Sequence, residues 1–481
     1  MPSALLTDLY QLTMAAAYWK SGTAAKEAVF HLHFRRQPFR GGFTVACGLA
    51  DAIAWLEALR FNGDDLAYLG SLRGTEGSPL FDPAFLEFLG KLEWSCDFDA
   101  VPEGTIVFPQ EPIVRVQGPI LHCQIVETAL LNIINFQTLI ATKAARVCQA
   151  ARGEPVVEFG LRRAQGPDGG LSASRAAFVG GCAATSNVLA GQRFGIPVRG
   201  THAHSWVMAF DTEADAFAAY ADAMPHNATL LVDTYDTLDG VRRAIDAGRR
   251  LRERGHDLAS IRLDSGDLAW LSQQARRLLD DAGFQNTAIL ASNDLDEYTI
   301  ASLKEQGAAI NVWGVGTRLV TAFDDPALGG IYKLAALREP GGTWRHKIKL
   351  SELTTKISTP GIQQVRRFSR GGAWLGDAIY DLLDGFPERW TIVDPDDDIR
   401  RKNFPDDATG EDLLVPIFRA GRRVYEVPPL TASREHAQRQ LAILDPSHKR
   451  FLNPHIYPAG IERRLHERRQ QLIASATRPA E

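Results

Sequence analysis

The chain has 481 residues, a formal net charge of −5 and a composition that is 45% hydrophobic and 23% charged. This length exceeds one small domain, and the composition is typical of a globular protein. The charge excludes a global basic field for nucleic acid, so any anionic ligand must be bound locally.

The cysteines and the N-terminus indicate the compartment. Five cysteines are scattered without a C-x-x-C pair, which argues against a disulfide framework and a structural zinc site and favours a reducing compartment. The N-terminus has no basic region followed by an apolar run, and no run of about 18 apolar residues occurs elsewhere. These features predict a cytoplasmic protein that binds neither membrane nor nucleic acid.

The N-terminal region consists of short elements. Its pattern predicts an opening helix, a strand over 28–35 and alternating strands over 103–116, with glycine and proline between them. None of these reads as a strand-plus-helix crossover unit.

A repeated unit follows between residues 156 and 334. Each repeat has a short apolar run, a polar cluster that closes it and a helical stretch, and the clusters start at Glu158, Thr201, Asp233, Asp264, Asn293 and Gly314. Their spacing of roughly 20 to 45 residues suits a strand-plus-helix crossover. The runs at 229–232, 287–290 and 309–313 are almost continuously apolar, as in strands covered on both faces.

The helical stretches complete this pattern. Residues 238–254, 268–281 and 296–306 are amphipathic, and glycine follows the last two. The repeat predicts a parallel barrel or an open parallel sheet, with chemistry at the carboxyl ends of its strands.

Short strands reappear after the repeat, and the tail is rich in arginine. They are predicted at 347–353, 361–368, 377–382 and 413–425. We therefore predict an α/β-barrel catalytic domain over 136–345, a discontinuous α+β domain built from 1–135 and 346–440, and a C-terminal helical tail over 441–481.

One strand tip carries an arginine and two acids. Arg262, Asp264 and Asp267 crowd this tip, with Gly266 allowing close approach. Carboxylates can accept hydrogen bonds from ribose hydroxyls or hold Mg²⁺ through water, and arginine can bind an anionic group with two hydrogen bonds. The alternative is a helix cap, with Asp264 or Ser265 capping the helix from 268 and Asp267 favouring its dipole.

A glycine pair closes the last strand of the repeat. Gly314 and Gly316 precede Thr317, and backbone N–H groups with a threonine hydroxyl form a natural phosphate cradle. The alternative is an ordinary tight turn, since the pattern G-x-G-x-x-G is not completed.

Two histidines lie two residues apart. We predict that His202 and His204 lie on a strand, so both imidazoles are expected to face the same side of it. A catalytic metal site is one interpretation and a buried histidine pair is another, because His226 and His256 are expected at the opposite face and complete no ligand set.

Several motifs together resemble nicotinate phosphoribosyltransferase. They run in order along the chain: residues 6–14 (LTDLYQLTM), 34–39 (FRRQPF), 158–169 (EFGLRRAQGPDG), 200–206 (GTHAHSW) and 262–267 (RLDSGD). The resemblance implies an irregular α/β barrel of the type II phosphoribosyltransferases. It also implies a homodimer with a shared active site that joins nicotinate to 5-phosphoribosyl 1-diphosphate, with Mg²⁺ as cofactor and ATP hydrolysis coupled to the reaction.

The resemblance also implies residue roles. His204 matches the histidine that ATP phosphorylates, Tyr10 an aromatic that reaches the pyridine ring from the neighbouring subunit, and Phe159 the aromatic on its other face. Catalysis is assigned to His204, Arg262 and Asp264. The phosphoribosyl diphosphate site is assigned to the following residues: Asp264, Asp267, Asn293, Gly314, Gly316 and Thr317. Arg35 and Arg36 either reach the partner's phosphates or are surface charges.

The sequence also bears on substrate choice. Ser186 occupies a stretch where a relative that takes nicotinamide carries an acid, and Arg162, Thr201 and Arg262 can donate to a carboxylate. These residues favour nicotinate over nicotinamide, unless Ser186 is simply a small helix residue. Quinolinate phosphoribosyltransferase is the competing enzyme, and a non-catalytic nucleotide-binding scaffold is the competing class.

Overall fold

The computed structural model describes residues 3–351, 357–395 and 397–476. The chain forms two compact units. The flanking unit comprises Met1–Leu139 and Ala327–Glu481, and the inserted unit comprises Ile140–Pro326.

The N-terminal part of the flanking unit alternates short strands with helices. Its elements are α1 (Leu9–Lys20), β1 (Glu27–Phe34), β2 (Thr44–Val45), α2 (Leu49–Ala58), α3 (Gly63–Ser71), α4 (Pro83–Gly90), β3 (Asp97–Ala100), β4 (Ile106–Val107), β5 (Val114–Pro119), α5 (Ile120–Ile125) and α6 (Glu127–Ala150), whose residues from Ile140 onward belong to the inserted unit. By length and composition alone, Ile120–Ala150 is apolar enough to cross a membrane. However, 61% of its most apolar window is buried in the structure, as expected for a core helix.

The inserted unit carries the predicted repeat. Its elements are β6 (Val156–Glu158), α7 (Gly166–Val179), β7 (Ala184–Thr185), α8 (Val188–Phe194), α9 (His204–Met208), α10 (Glu213–Ala223), β8 (Thr229–Leu231), α11 (Thr237–Glu253), β9 (Ser260–Leu263), α12 (Leu268–Asp281), β10 (Ala288–Ala291), α13 (Glu297–Glu305), β11 (Val312–Val315) and α14 (Thr317–Val320).

The remainder of the flanking unit is mainly strands. Its elements are β12 (Gly330–Arg338), β13 (Arg345–His346), β14 (Gln363–Arg370), β15 (Ala373–Asp381), β16 (Thr391–Asp394), β17 (Asp397–Asn403), β18 (Thr409–Asp412), β19 (Val415–Arg419), β20 (Arg422–Arg423), α15 (Leu430–Ile443), β21 (Ala459–Glu462) and α16 (Arg463–Ala476). The strand predicted over 347–353 is not found in residues 347–351, and the last two residues of that range lie outside the described residues.

The inserted unit contains a parallel sheet, as predicted. Its strand order is β7-β6-β11-β10-β9-β8, and every pair is parallel. Because all strands point the same way, the loops after β6 to β11 meet at one edge. The α/β class is therefore confirmed. Pairing between the end strands β7 and β8, which a closed barrel requires, is not among the described ladders.

Aspartates explain where the outer helices begin. The side chains of Asp236, Asp267 and Asp296 accept the N–H of the third residue of α11, α12 and α13, respectively. Such N-caps satisfy backbone donors that the first helical turn leaves free. The polar segments after β8, β9 and β10 therefore also have a structural role.

The flanking unit differs from the predicted domain boundaries. Its larger sheet has the order β13-β12-β1-β5-β3-β19-β20, and β12 pairs antiparallel with β1. Residues 327–345, predicted as part of the catalytic domain, therefore belong to this unit and not to the inserted unit. The reason is that β12 finds its partner in the N-terminal segment, which a local sequence pattern does not reveal.

The C-terminal tail is also not separate. A second sheet has the order β17-β16-β21-β15-β14-β18, so β21 of the tail lies between β16 and β15. Ile461 of β21 is fully buried. The separate helical tail predicted over 441–481 is replaced by a strand at the centre of a sheet followed by α16.

Candidate active site

Arg262 is the hub of the loops that follow the parallel strands. It lies in β9, and its Nε donates to Ser292 Oγ at 2.8 Å, one Nη to Thr201 Oγ1 at 3.0 Å and the other to Asp264 Oδ1 at 2.8 Å. Its guanidinium also lies 5.5 Å from the centroid of the Phe159 ring. One side chain thus joins residues from four separate loops.

Asp264 is held as a carboxylate. Burial raises its pKa, but the Ser292 hydrogen bond and the charge of Arg262 outweigh this, so its pKa lies below the usual value. The backbone N–H of Asp264 and the hydroxyl of Ser265 both donate to Asp233 Oδ2, at 2.8 and 2.7 Å. The loop is therefore fixed from two sides.

Asp233 is a functional candidate that sequence reasoning did not assign. It is 9% exposed, and its second oxygen, Oδ1, is buried without a hydrogen-bond partner in the described part of the chain. An unsatisfied buried carboxylate oxygen is costly unless a ligand completes it. The sequence feature that could have identified Asp233 is its position as the first residue of the polar cluster after β8.

His204 lies close to Asp264. It begins α9, its Nδ1 lies 3.1 Å from Thr234 Oγ1, and its Nε2 lies 3.9 Å from Asp264 Oδ2. The side chain is 41% exposed, so Nε2 is accessible to a ligand.

His202 has a different, structural role. Its Nε2 accepts the backbone N–H of Leu231 at 3.2 Å, and its ring packs edge-on against Tyr220. Burial lowers its pKa, so the imidazole is neutral at pH 7. The expectation that both imidazoles share one face of a strand is wrong, because the segment is a loop that turns into α9 at His204.

Phe159 is held in place by close packing against the backbone. A Cβ added at Gly314 would lie 2.7 Å from its ring, and one added at Gly160 would lie 2.2 Å from Val320. Gly314 is therefore explained by the aromatic ring packed against it. A direct role of Gly314 in phosphate binding stays a prediction.

Glu158 anchors the loop that carries Phe159. This buried carboxylate accepts hydrogen bonds from Ser174 Oγ at 2.9 Å, from Thr185 Oγ1 at 2.6 Å and from the backbone N–H of Gly160. Ser186 donates its N–H to the Glu158 carbonyl at 2.9 Å and lies in the loop before α8. Ser186 is thus a loop residue and not a helix residue.

The loop after β11 carries the predicted phosphate cradle. Gly316 precedes Thr317, the first residue of α14, and a Cβ on Gly316 would lie 3.2 Å from the Phe159 carbonyl oxygen. In the sheet, only β10 lies between β11 and β9, so the loops after these two strands are close to each other. Asn293, after β10, is exposed and adopts a left-handed φ of 117°, a conformation that is uncommon outside glycine and found at functional loops.

Charged side chains, two of them fully buried, support the loop after β11. Arg318 donates to Asp296 Oδ2 at 3.1 Å, and Asp324 contacts Lys143 Nζ at 2.7 Å. Lys143 also pairs with Glu297 at 2.6 Å, and both side chains are fully buried. Breaking such a buried pair leaves an uncompensated charge, so this network fixes the residues around α14.

The remaining predicted site residues either cap a helix or are at least partly exposed to solvent. Asp267 Oδ1 caps α12 through the Trp270 N–H at 3.0 Å, so the cap is Asp267 and neither Asp264 nor Ser265. Arg162 is exposed. In the flanking unit, Tyr10 is 49% exposed, and Arg36 is exposed while Arg35 is partly buried. Their ligand roles stay predictions.

Comparison with known proteins identifies the family. Family models match the N-terminal domain of nicotinate phosphoribosyltransferase at residues 5–135, the family's own model at 155–339 and its C-terminal domain at 363–469. The chain belongs to the nicotinate phosphoribosyltransferase family. The resemblance predicted from the sequence motifs is confirmed.

Relatives extend this similarity to the full length. The chain is 42% identical to nicotinate phosphoribosyltransferase of Bacillus subtilis, covering 98% of this chain and 95% of the relative. It is 42% identical to the Mycobacterium tuberculosis protein, covering 96% and 92%. The crystal structure of human nicotinic acid phosphoribosyltransferase matches with a TM-score of 0.83 at 33% identity, covering 97% and 99%. These similarities support nicotinate phosphoribosyltransferase function in NAD biosynthesis.

Proposed function

We propose that the protein joins nicotinate to 5-phosphoribosyl 1-diphosphate, giving nicotinate mononucleotide and diphosphate, with ATP hydrolysis coupled through a phosphohistidine at His204. The observation that carries the glycosyl transfer is the environment of Arg262. Its guanidinium is 5.5 Å from the Phe159 ring and 2.8 Å from Asp264, so the proposed pyridine face and the proposed ribose acid are close neighbours.

Phe159 is the proposed platform for the pyridine ring. Stacking would orient the ring so that its nitrogen faces the anomeric carbon of the sugar. The nitrogen lone pair attacks C1, and the C1–oxygen bond to diphosphate breaks with its electron pair leaving on diphosphate. The product ring nitrogen then carries the positive charge.

Asp264 and the loop after β11 are proposed to bind the phosphoribosyl group. Asp264 Oδ2 lies 3.9 Å from His204 Nε2, beyond hydrogen-bond distance, so it can accept from a ribose hydroxyl. Gly316 and Thr317 offer backbone N–H groups and a hydroxyl to the 5-phosphate. Ionised Asp264 also stabilises positive charge that develops on the sugar as diphosphate departs.

Mg²⁺ is proposed as the cofactor. No group of three or more His, Cys, Asp or Glu side chains suited to a metal ion occurs in the ranges that the structure describes. Asp233 Oδ1 and Asp264 Oδ2 are nevertheless oxygens of the type that Mg²⁺ prefers. These two carboxylates would hold the ion, which when bound would neutralise charge on the leaving diphosphate.

His204 is proposed to accept a phosphoryl group from ATP. In the tautomer whose Nδ1–H donates to Thr234 Oγ1, Nε2 keeps its lone pair, and the side chain is 41% exposed. Nε2 attacks the γ-phosphorus, the bond to ADP breaks with its electron pair leaving on ADP, and water later cleaves the nitrogen–phosphorus bond to release phosphate. Coupling requires different ligand affinities in the two states of the enzyme.

A homodimer with a shared site is supported by apolar side chains in the inserted unit. Several large hydrophobic residues between 161 and 323, in loops and helices after the parallel strands, are 41–71% exposed. They are Leu161, Val188, Leu189, Met208, Tyr235, Trp270 and Phe323. Exposed apolar groups on loops that follow strands of one parallel sheet, and so meet at one edge, suit a surface that a partner covers.

The shared site is tested by complementation. Co-expressed Tyr10→Ala and His204→Ala chains are each expected to lack ATP-stimulated turnover alone. Their heterodimers would contain one intact site, and random pairing would restore about a quarter of parental activity. Absence of any recovery in an isolated heterodimer would show that Tyr10 acts within its own subunit.

A direct assay tests the reaction. The purified chain is given 5-phosphoribosyl 1-diphosphate and Mg²⁺ with nicotinate, nicotinamide or quinolinate, each with and without ATP. We expect nicotinate mononucleotide from nicotinate, much slower turnover of the other two compounds and stimulation by ATP. Equal turnover of nicotinamide, or release of carbon dioxide from quinolinate, would contradict the proposed specificity.

Labelling tests the phosphohistidine separately. Incubation with γ-labelled ATP should yield an acid-labile label that His204→Ala lacks. His226→Ala is the matched control, because His226 is exposed and precedes β8. Labelling of His204→Ala at the parental level would refute the assignment without affecting the glycosyl transfer.

A further inference from the structure

A cavity of about 680 Å³ lies within the flanking unit. Its walls come from β16 and β17 and from the loop between α15 and β21. This volume is in the range of pockets that bind small molecules. None of the residues assigned to the proposed reaction lines it.

Cationic side chains dominate the lining. Arg400, Arg401 and Lys402 come from β17, Arg450 comes from the loop after α15, and Asp394 is the acid among the lining residues. β17 is an edge strand, and charges on an edge strand alone often serve to prevent pairing with another chain. That explanation does not account for Arg450, which lines the same cavity from a distant segment.

Most of these cations lack an acidic partner. Arg400 Nε lies 3.5 Å from Asp397 Oδ2, but the nearest contacts of the next two side chains are carbonyl oxygens: Arg401 Nε donates to Asp398 O at 3.1 Å and Lys402 Nζ to Leu375 O at 2.5 Å. In the described ranges, no ion pair involves Arg401, Lys402 or Arg450. Asp398 contacts His466 at 3.2 Å instead.

The burial of Lys402 adds to this imbalance. Burial lowers the pKa of its amine, because the ammonium is partly removed from water without an opposite charge nearby. A bound anion would compensate this cost. Guanidinium groups that line one cavity can each bind phosphate oxygens with two hydrogen bonds.

His455 adds a flat surface to the cavity. Its ring stacks on His448 with centroids 5.1 Å apart and an interplanar angle of 9°, and its carbonyl accepts from His448 Nδ1 at 2.7 Å. The stacked pair is a fixed platform beside the cations. A planar base or similar ring could pack on its outer face.

We propose that this cavity is a second ligand site, separate from the catalytic loops, for a small molecule that carries a di- or triphosphate group. A nucleotide satisfies both parts of the site, because its phosphates match Arg401, Lys402 and Arg450 and its base matches His455. The proposal does not depend on the proposed reaction. It assigns to the flanking unit a binding role of its own.

Titration calorimetry tests the proposal with ATP and, separately, with diphosphate. The full chain is used as the His204→Ala variant so that ATP is not consumed. We expect the double substitution Arg401→Gln/Arg450→Gln to reduce the number of ATP molecules bound per chain by one, or to weaken one binding event at least tenfold. Arg439→Gln is the matched control, since Arg439 is an exposed arginine on α15 that pairs with Glu435.

Hydrogen exchange and steady-state kinetics test the same proposal independently of calorimetry. Hydrogen exchange of the unsubstituted chain should show ATP-dependent protection of β17, which does not require the variant to fold. In the wild-type background, the double substitution should leave the KM for 5-phosphoribosyl 1-diphosphate unchanged. Unaltered ATP stoichiometry and affinity would overturn the proposal, and so would a raised KM, because it would place these arginines at the catalytic site.

Discussion

The tips of β9 and β11 are held in place in contrasting ways. After β9, side chains determine the geometry: Arg262, Asp264, Ser292 and Asp233 form a hydrogen-bonded network around the loop. After β11, the backbone determines it, because Gly314 has no space for a Cβ beside the Phe159 ring. The first tip should therefore respond to changes of charge, and the second to changes of volume.

Removing the charge at the β9 tip should have the largest effect. Asp264→Asn keeps the shape of the side chain but removes the negative charge beside the developing positive charge of the sugar. We expect kcat to fall roughly 10²–10³-fold, the range seen when one preorganised electrostatic group is lost. Steady-state kinetics with saturating nicotinate measure this.

Asp267→Asn is the matched control for that substitution. Asparagine caps a helix about as well as aspartate, so the capping of α12 should be preserved. We expect little change in kcat if capping is the main role of Asp267. A loss as large as that of Asp264→Asn would show that both acids bind the substrate.

Adding volume at the β11 tip should disturb nicotinate binding. A methyl group at Gly314 would lie 2.7 Å from the Phe159 ring and must displace it. Overpacking of this kind costs about 1–3 kcal/mol, and we expect it as a raised KM for nicotinate. Gly316→Ala, whose Cβ would be 3.2 Å from a backbone oxygen, should instead raise the KM for 5-phosphoribosyl 1-diphosphate. Identical effects of the two substitutions on both KM values would contradict separate roles for the glycines.

Thr234→Ala tests the orientation of His204. The hydroxyl of Thr234 is 3.1 Å from Nδ1, and losing a hydrogen bond of this kind costs about 1 kcal/mol, or about fivefold. We expect the rate of labelling by ATP to fall by that factor. Tyr235→Phe, an exposed neighbour, should label at the parental rate. An unchanged rate in Thr234→Ala would mean that Thr234 does not orient the nucleophile.

Replacing His202 should have the smallest effect, which is a change in how the free energy of unfolding depends on pH. Burial lowers its pKa in the folded state, so the unfolded chain binds the proton more readily. Its contribution to the free energy of unfolding is therefore fully present above about pH 6.5 and is lost as the pH falls towards the lowered folded value. Chemical denaturation of the parent and of His202→Gln at pH 7.5 and 5.5 should show a steeper decline in the parent. Parallel declines would contradict a neutral His202 that accepts from Leu231.

Local pattern predicted the inserted unit well. Residues 268–281 were predicted as a helix and form α12 with those bounds, and the apolar run at 229–232 contains β8. These elements are readable because strands covered on both faces are apolar throughout and outer helices are amphipathic. The cluster at Asp264 was likewise recognisable, because its acids and arginine lie close in sequence.

Contacts between distant segments could not be predicted in the same way. β12 pairs with β1, about 300 residues earlier in the chain, and β21 enters a sheet between two earlier strands. Ser292 and Asp233 become part of the site only because β8, β9 and β10 are adjacent. Gly314 suggested a phosphate cradle in the sequence, whereas its packing partner, Phe159, is revealed only by the pairing of β11 with β6.

A crystal structure of the protein with bound nicotinate mononucleotide would test the central claim most directly. We predict the pyridine ring against Phe159, the ribose hydroxyls at Asp264 and the phosphate at Gly316 and Thr317. A product bound away from these three loops would contradict the account.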